Sequence, residues 1–428
     1  MFSFEIQKTR AGLNLITAPL KDSQTITVLV MVKTGSCYES KALNGISHFL
    51  EHMFFKGSEM FPSSLKLASS LDALGADYNA FTTKEYTGFW VKSDSRQTDK
   101  LLLILSDMLQ RPLLAPAEVK RERGVVIEEM NMYQDMPMRY VGDLFENLIY
   151  GDNSQGRLII GEPETVNNLD QTKLKSYLDK QYIKANTYIF AVGRLEEERL
   201  VQKIDHYFSA VKIGQGLDKP PTKIRQIKPR FKLLNKKTDQ IHLVLGLEAL
   251  AAGDPDIYAL AVLTLILGGN MSSRLFTKIR EKMGLAYYVS ASSESYSDSG
   301  YLAIKAGLNK EKLLAAIEAI LKELLLLKDK GVTVKELGRA KEYLKGKLLL
   351  SLETSDEIAF FLGEQLLVKN QITAPSEILD KIEAVNLPKL KLIAEKTLAA
   401  KKLNLALIGE TKEDTVLKSL LNSYQKKF

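Results

Sequence analysis

The chain has 428 residues, of which 45% are hydrophobic and 26% charged, and it is expected to form at least two domains because one hydrophobic core rarely serves this length. Its net charge of +7 is spread over lysine-rich helical stretches, and no concentrated basic face predicts a nucleic-acid partner. The single cysteine, Cys37, excludes an internal disulfide, and the lack of a leader pattern or a membrane-length apolar run makes a cytoplasmic protein the expectation.

In its first half the sequence predicts strands interleaved with helices. Alternating or β-branched apolar runs indicate strands, and apolar residues that recur every three or four positions indicate helices. The predicted strands cover 4–8, 12–17, 25–32, 77–92 and 187–193, and the predicted helices cover 45–55, 63–74, 98–109, 116–130 and 196–208. This mixture of strands and helices is typical of an α+β domain.

A stretch rich in glycine, proline and lysine at 214–229 predicts a linker between domains at 1–213 and 230–428. The second half repeats the order of the first, and its run from Gly284 can be laid beside the run from Gly75. Its predicted strands cover 240–247, 287–306 and 403–408, and its predicted helices cover 257–267, 275–282 and 313–327. We therefore predict an α+β protein of two tandem homologous α/β-sandwich domains, each a mainly antiparallel sheet packed with helices.

Two of the four histidines, His48 and His52, stand four positions apart in the first predicted helix, with Glu51 between them. That spacing puts both imidazoles on one helical face, one turn apart, where they can reach one zinc ion. Glu51 projects over a neighbouring strip and is placed to hold a water, which is the H-x-x-E-H arrangement. Satisfied core histidines are the alternative, but three titratable groups on one apolar helix are costly to bury without a cation.

Catalytic zinc takes a third protein ligand, and the predicted helix 116–130 offers four glutamates for it. They are Glu118, Glu122, Glu128 and Glu129. Glu122 and Glu129 are seven positions apart and share a face, whereas Glu128 points about 100° away from Glu129. Periodicity favours the Glu122 and Glu129 face without deciding between its members, and exposed glutamates on a charged helix remain an alternative.

The H-F-L-E-H-M-F-F-K-G-S run from His48 resembles the signature of the pitrilysin-type inverted zincins, and the resemblance covers nearly the whole chain. It is nearest to the two-domain bacterial subfamily, which is similar to the mitochondrial processing peptidase. The resemblance implies that His48 and His52 bind one Zn²⁺ per chain and that Glu51 is the general base. Because the run from Glu122 to Glu129 matches the downstream helix of that family, Glu129 is implied as the third ligand and Glu122 as its supporting carboxylate.

The same resemblance implies which residues meet a substrate. Four residues match the edge strand to which substrate backbone is added, namely Asn79, Ala80, Phe81 and Thr82. Arg280 and Tyr287 match a pair that contacts the substrate and the reacting carbonyl. In this family that pair comes from the opposite half of a clamshell, so a chain of two domains is expected to form a homodimer around a chamber.

The sequence therefore predicts a zinc-dependent endopeptidase that hydrolyses peptides or unfolded segments inside a dimeric chamber. The alternative is a non-catalytic peptide-binding or scaffold subunit of the same fold, although such relatives usually lack part of the His-x-x-Glu-His set that this chain keeps. A nucleic-acid binder, which the positive charge alone would suggest, predicts strongly salt-dependent binding and is not favoured.

Overall fold

The computed structural model describes residues 2–425, which divide into two compact units that are not continuous in sequence. The first unit contains the residues up to Met130 together with Arg157–Pro220 and Leu349–Ile372. The second contains Asn131–Gly156, Pro221–Leu348 and the residues from Thr373. Each unit therefore includes a helical segment from the other half of the sequence. The chain passes from the first unit to the second between Pro220 and Pro221, which lie inside the predicted linker.

Fifteen α-helices are found among the described residues. In chain order they are α1 Ile46–Phe54, α2 Ser64–Asp72, α3 Thr98–Gln110, α4 Pro116–Gln134, α5 Pro137–Tyr150, α6 Pro163–Asn167, α7 Gln171–Gln181, α8 Glu197–Tyr207, α9 Ile257–Thr264, α10 Leu313–Lys330, α11 Val334–Leu350, α12 Ser355–Lys369, α13 Pro375–Glu383, α14 Leu387–Thr397 and α15 Asp414–Gln425. None of the helices in this described part is both long enough and apolar enough to cross a membrane.

The sheet of the first unit has six strands in the order β1-β2-β6-β3-β5-β4. The strands are β1 Glu5–Lys8, β2 Asn14–Pro19, β3 Thr25–Val32, β4 Asp77–Thr82, β5 Thr87–Asp94 and β6 Thr187–Gly193. Only β2 and β6 run parallel, and every other pair of neighbours is antiparallel. The order places β4, which carries the predicted substrate-binding residues, at one edge of the sheet.

Both faces of this sheet are covered, which explains why the interior strand β3 is apolar from Val28 to Val32. Successive side chains of a strand point to opposite faces. Val28 and Val30 pack into the core that contains the apolar side of α1, whereas Leu29 and Met31 pack against Leu362 and its neighbours on α12. The first unit thus uses a helix from late in the sequence to cover its second face.

The sheet of the second unit has five strands in the order β7-β11-β8-β10-β9. The strands are β7 Arg230–Leu234, β8 Ile241–Glu248, β9 Ala286–Ser295, β10 Gly300–Leu308 and β11 Leu403–Ile408. As in the first unit, one pair is parallel, β7 with β11, and the others are antiparallel. The predicted fold class, two α/β units with mainly antiparallel sheets, is confirmed.

Helix α5 covers one face of the second sheet, and its residue Phe145 packs against Gly246 of β8. A Cβ atom added there would lie 2.4 Å from Cζ of Phe145 and 2.6 Å from the carbonyl oxygen of Leu302. We expect Gly246→Ala to destabilise the protein by about 1–3 kcal/mol, because overpacking forces side chains and backbone to move. Urea unfolding midpoints measure the effect.

Gly338→Ala is the matched control, because Gly338 lies within α11 and nothing approaches its added Cβ within 4 Å. Alanine is the better helix former by about 0.8–1 kcal/mol, so this variant is expected to unfold at a higher urea concentration than the parent. A midpoint for Gly246→Ala at or above that of the parent would contradict the close packing of α5.

Candidate metal centre

The helix that carries the histidines, α1, is fixed at its start by a buried carboxylate. Glu39 Oε1 accepts a hydrogen bond from the backbone N–H of Ser47 at 2.9 Å, and Oε2 accepts one from the backbone N–H of Gly45 at 2.8 Å. These contacts satisfy N–H groups that have no partner inside the helix, and the negative charge suits the helix N-terminus. Burial raises the pKa of Glu39, while its hydrogen bonds oppose that shift.

The apolar side of α1 is buried in the core of the first unit, and its polar side carries the two histidines. Phe49, Leu50 and Met53 are fully buried. The rings of His48 and His52 lie 4.6 Å apart between centroids, one turn apart along the helix. The predicted helical register of the H-x-x-E-H run is therefore what the structure has.

Three ligand atoms converge beside this face. One atom each from His48, His52 and Glu129 can be chosen so that all lie within 4.8 Å of one another. Glu129 Oε2, on α4, lies 3.7 Å from His48 Nε2 and 3.4 Å from His52 Nε2. Of the four glutamates considered from the sequence, only Glu129 joins this group, and Glu128 is exposed.

The orientation of His52 fits a metal ligand. Its Nδ1 lies 2.8 Å from Glu122 Oε1 and donates to that carboxylate, which leaves the lone pair of Nε2 facing the cluster. Lys56 Nζ lies 2.7 Å from the other oxygen of Glu122, whose side chain is 2% exposed. Two imidazole nitrogens and one carboxylate oxygen form the donor set of a catalytic zinc site, so the residues present fit a zinc ion.

The pKa values of the two histidines are shifted in opposite directions. Burial, together with the neighbouring His52, lowers the pKa of His48 to about 4. Burial also disfavours the charged form of His52, but its hydrogen bonds to Glu122 and Glu129 outweigh that effect and raise its pKa to about 9. The hydrogen bonds to the two carboxylates are therefore what distinguishes His52 from His48.

Glu51 lies on α1 next to His52, and its carboxylate is held from a neighbouring strand. Thr82 Oγ1, at the end of β4, donates a hydrogen bond to Glu51 Oε2 over 2.5 Å. Oε1 accepts no hydrogen bond from the described residues. Burial raises the pKa of Glu51, and the hydrogen bond from Thr82 opposes that shift.

The other residues of the predicted substrate-binding strand lie as an edge strand requires. Asn79, Ala80 and Phe81 pair with β5 on one side, and no described strand pairs with β4 on the other. The ring of Phe81 packs on the opposite face of the sheet from α1, against Phe360. Their contact with a substrate stays a prediction.

Arg280 and Tyr287 belong to the second unit. Arg280 lies in a π-helical segment, Phe276–Lys282, with its guanidinium 4.9 Å from the ring centroid of Phe276. Tyr287 is 59% exposed and lies at a β-bulge in β9. Tyr288 pairs with Gly307 of β10 and Ala286 pairs with the next residue of β10, so Tyr287 between them has no partner residue in β10. Bulges re-aim side chains near functional sites, but the roles of this pair stay predictions.

The sequence did not predict three of the supporting contacts described above. They are made by Glu39 to the start of α1, by Lys56 to Glu122 and by Thr82 to Glu51. Lys56 lies just beyond the end of α1 and of the predicted helix, so helical periodicity did not place it beside His52. The contacts of Glu39 and Thr82 depend on how separate elements pack, and no spacing in the sequence indicates them.

Two family models cover most of the chain. The model described as "Insulinase (Peptidase family M16)" matches residues 16–162, and the model described as "Peptidase M16 inactive domain" matches residues 168–344. The uncharacterized zinc protease YmxG of Bacillus subtilis is 36% identical over 90% of this chain and 93% of its own length. The chain belongs to peptidase family M16. The uncharacterized zinc protease SCO5738 of Streptomyces coelicolor is 32% identical to this M16 protein over 94% of the chain and 88% of its own length.

Solved structures share the M16 fold. A protease from Helicobacter pylori superposes with a TM-score of 0.88 at 23% identity, covering 96% of this chain and 100% of that one. An M16 inactive-domain protein from Pseudomonas fluorescens superposes with a TM-score of 0.89 at 19% identity, covering 96% and 98%. The predicted resemblance is confirmed, and the three candidate metal ligands lie in the stretch that matches the insulinase model rather than the inactive-domain model.

Proposed function

We propose that this M16 protein is a zinc-dependent endopeptidase that hydrolyses peptides or unfolded polypeptide segments. The convergence of ligand atoms from His48, His52 and Glu129 is the observation that carries the proposal. Relatives with 36% and 32% identity over most of the chain are named zinc proteases, which supports the same reaction here.

One zinc ion per chain would be held by Nε2 of His48, Nε2 of His52 and a carboxylate oxygen of Glu129. When bound, zinc supplies Lewis acidity that lowers the pKa of a water molecule and polarises a carbonyl oxygen. Glu122 orients His52 through its Nδ1, and the ammonium of Lys56 balances the charge of Glu122.

Glu51 is the proposed general base. Its Oε1 takes a proton from the water that attacks the scissile carbonyl and then delivers that proton to the leaving amine, so the peptide bond breaks without a covalent intermediate. Its Oε2 is occupied by Thr82, which leaves one carboxylate oxygen for proton transfer. Glu51 is not in the group formed by His48, His52 and Glu129, which supports a role in proton transfer rather than as a metal ligand.

The substrate is proposed to bind extended, by adding to the outer edge of β4 through main-chain hydrogen bonds. The available edge next to Glu51 supports this arrangement. We further propose that Arg280 and Tyr287 contact the substrate and the reacting carbonyl from the second subunit of a homodimer that encloses a chamber. That last assignment rests on resemblance to the family.

Loss of the carboxylate behind His52 is expected to weaken zinc binding. Glu122→Gln should lower zinc affinity by about 10–100-fold, because a neutral amide orients the imidazole less strongly and makes it a weaker ligand. Competition with a chromophoric chelator measures the affinity. Glu118→Gln on the same helix, which removes an outlying ion pair with Arg121, is the control and should leave the affinity unchanged. An unchanged affinity in Glu122→Gln would remove Glu122 from the site.

Cleavage of an internally quenched peptide by zinc-loaded protein tests the function. Activity that a chelator abolishes and added zinc restores is the expected result, and mass spectrometry of a cleaved peptide mixture should show internal cuts. Stoichiometric zinc without any cleavage would instead support a non-catalytic peptide-binding subunit of the same fold.

A further inference from the structure

The side chain of Thr82 is directed at the proposed base, Glu51. Tyr78 and Ala80 of the same strand pack into the core beneath α1, and Phe81 packs on the other face of the sheet. Because strand side chains alternate, Thr82 lies on the face of Tyr78 and Ala80, where Glu51 is. From this placement we infer that Thr82 is a positioning residue that fixes the carboxylate of Glu51, an inference that rests on the proposed function.

Packing alone does not explain a hydroxyl at this position. Valine has nearly the same shape as threonine and suits a strand equally well, so the feature that distinguishes Thr82 is its single O–H donor. That donor is used on Glu51 Oε2 over 2.5 Å. A hydrogen bond to a carboxylate is stronger than one between neutral groups, so this contact restricts rotation of the carboxylate about its last bond.

Through this contact, strand β4 would position both the substrate and the general base. The backbone of β4 offers its outer edge to an extended peptide, and the side chain of its last residue holds the base. A peptide added to this edge is then placed relative to a carboxylate whose Oε1 is aimed in a fixed direction. Positioning of this kind acts on the chemical step, and errors of about 1 Å can cost about 100-fold in rate.

The test compares Thr82→Val with Thr82→Ser in zinc-loaded protein. Thr82→Val is expected to lower kcat by about 10–100-fold while KM changes less than twofold, and Thr82→Ser, which keeps the donor, is expected to recover most of the rate. Thr17→Val is the matched control, because Thr17 also donates from a strand of this sheet to a glutamate, Glu197, at 2.7 Å. It should leave kcat unchanged.

Each other outcome overturns the inference. A rise in KM at constant kcat would make Thr82 a substrate contact. Failure of Thr82→Ser to recover activity would make the methyl group of Thr82 the important feature. Equal kcat values for Thr82→Val and Thr17→Val would show that Thr82 does not position Glu51.

A second measurement on metal-free protein separates this inference from the proposed function. Thr82→Val, Glu51→Met and the double variant form a cycle whose urea midpoints should be non-additive if the two side chains are coupled. Additive midpoints would overturn the coupling whether or not the protein cleaves peptides. A non-additive cycle in a protein that has no peptidase activity with zinc would instead reject the proposed function and keep the contact.

Discussion

Replacing Glu51 with glutamine is expected to lower kcat by about 10²–10⁴-fold without lowering the zinc content of the protein. Glutamine has nearly the same shape and can still accept the hydrogen bond from Thr82 through its amide oxygen. Its amide cannot take a proton from water, so the chemical step loses its base. None of the three proposed ligand side chains changes, and elemental analysis should find as much zinc as in the parent.

The measurement requires zinc content and steady-state cleavage of a quenched peptide on the same preparation. Glu59→Gln is a suitable control, because the side chain of Glu59 is 65% exposed and lies 3.8 Å from its ion-pair partner Arg111. That variant should match the parent in both quantities. Normal turnover by zinc-loaded Glu51→Gln would reject Glu51 as the base, and loss of zinc would make it a ligand instead.

Local spacing was sufficient to predict the half of the site that lies on one helix. Residues one turn apart on a helix are neighbours whatever surrounds them, so His48, Glu51 and His52 could be placed relative to each other from the sequence. The face shared by Glu122 and Glu129 followed from the same periodicity. Both glutamates approach His52, and which of them joins the two histidines in the candidate ligand group depends on how α4 packs against α1. Only the resemblance predicted that it is Glu129.

The exchange of helices between the two units could not be predicted from local patterns. The apolar run of β3 indicates a strand that is buried on both faces, but it does not identify the helices that cover them. The face with Leu29 and Met31 is covered by α12, more than 300 residues later, and one face of the second sheet is covered by α5. Contacts at such separations are set by the whole chain and not by the spacing of neighbouring residues.

Two predicted helices are correct in place but differ in type. The predicted helix 257–267 is α-helical only to Thr264 and continues as a π-helical turn, and 275–282 is π-helical from Phe276. A π-turn inserts one residue into the helical repeat, so the apolar pattern over a few residues hardly differs from that of an α-helix. Short-range periodicity therefore could not distinguish them.

Replacing Glu129 with glutamine is expected to remove zinc from the protein. The amide keeps the size of the side chain but lacks the negative charge of a carboxylate ligand, so the loss of affinity should exceed the about 10–100-fold cost of losing an outer partner such as Glu122. Peptide cleavage should fall with zinc content and recover only in part at high zinc concentration.

Glu128→Gln is the matched control, because it makes the same chemical change one residue earlier on the same helix. Glu128 is exposed and is not in the group formed by His48, His52 and Glu129, so zinc content and activity should equal those of the parent. Adjacent helical residues point about 100° apart, and a single turn of α4 therefore cannot present both carboxylates to the same ion. Zinc lost by Glu128→Gln but kept by Glu129→Gln would mean that α4 is rotated by that angle from its position here, which would also remove Glu122 from His52.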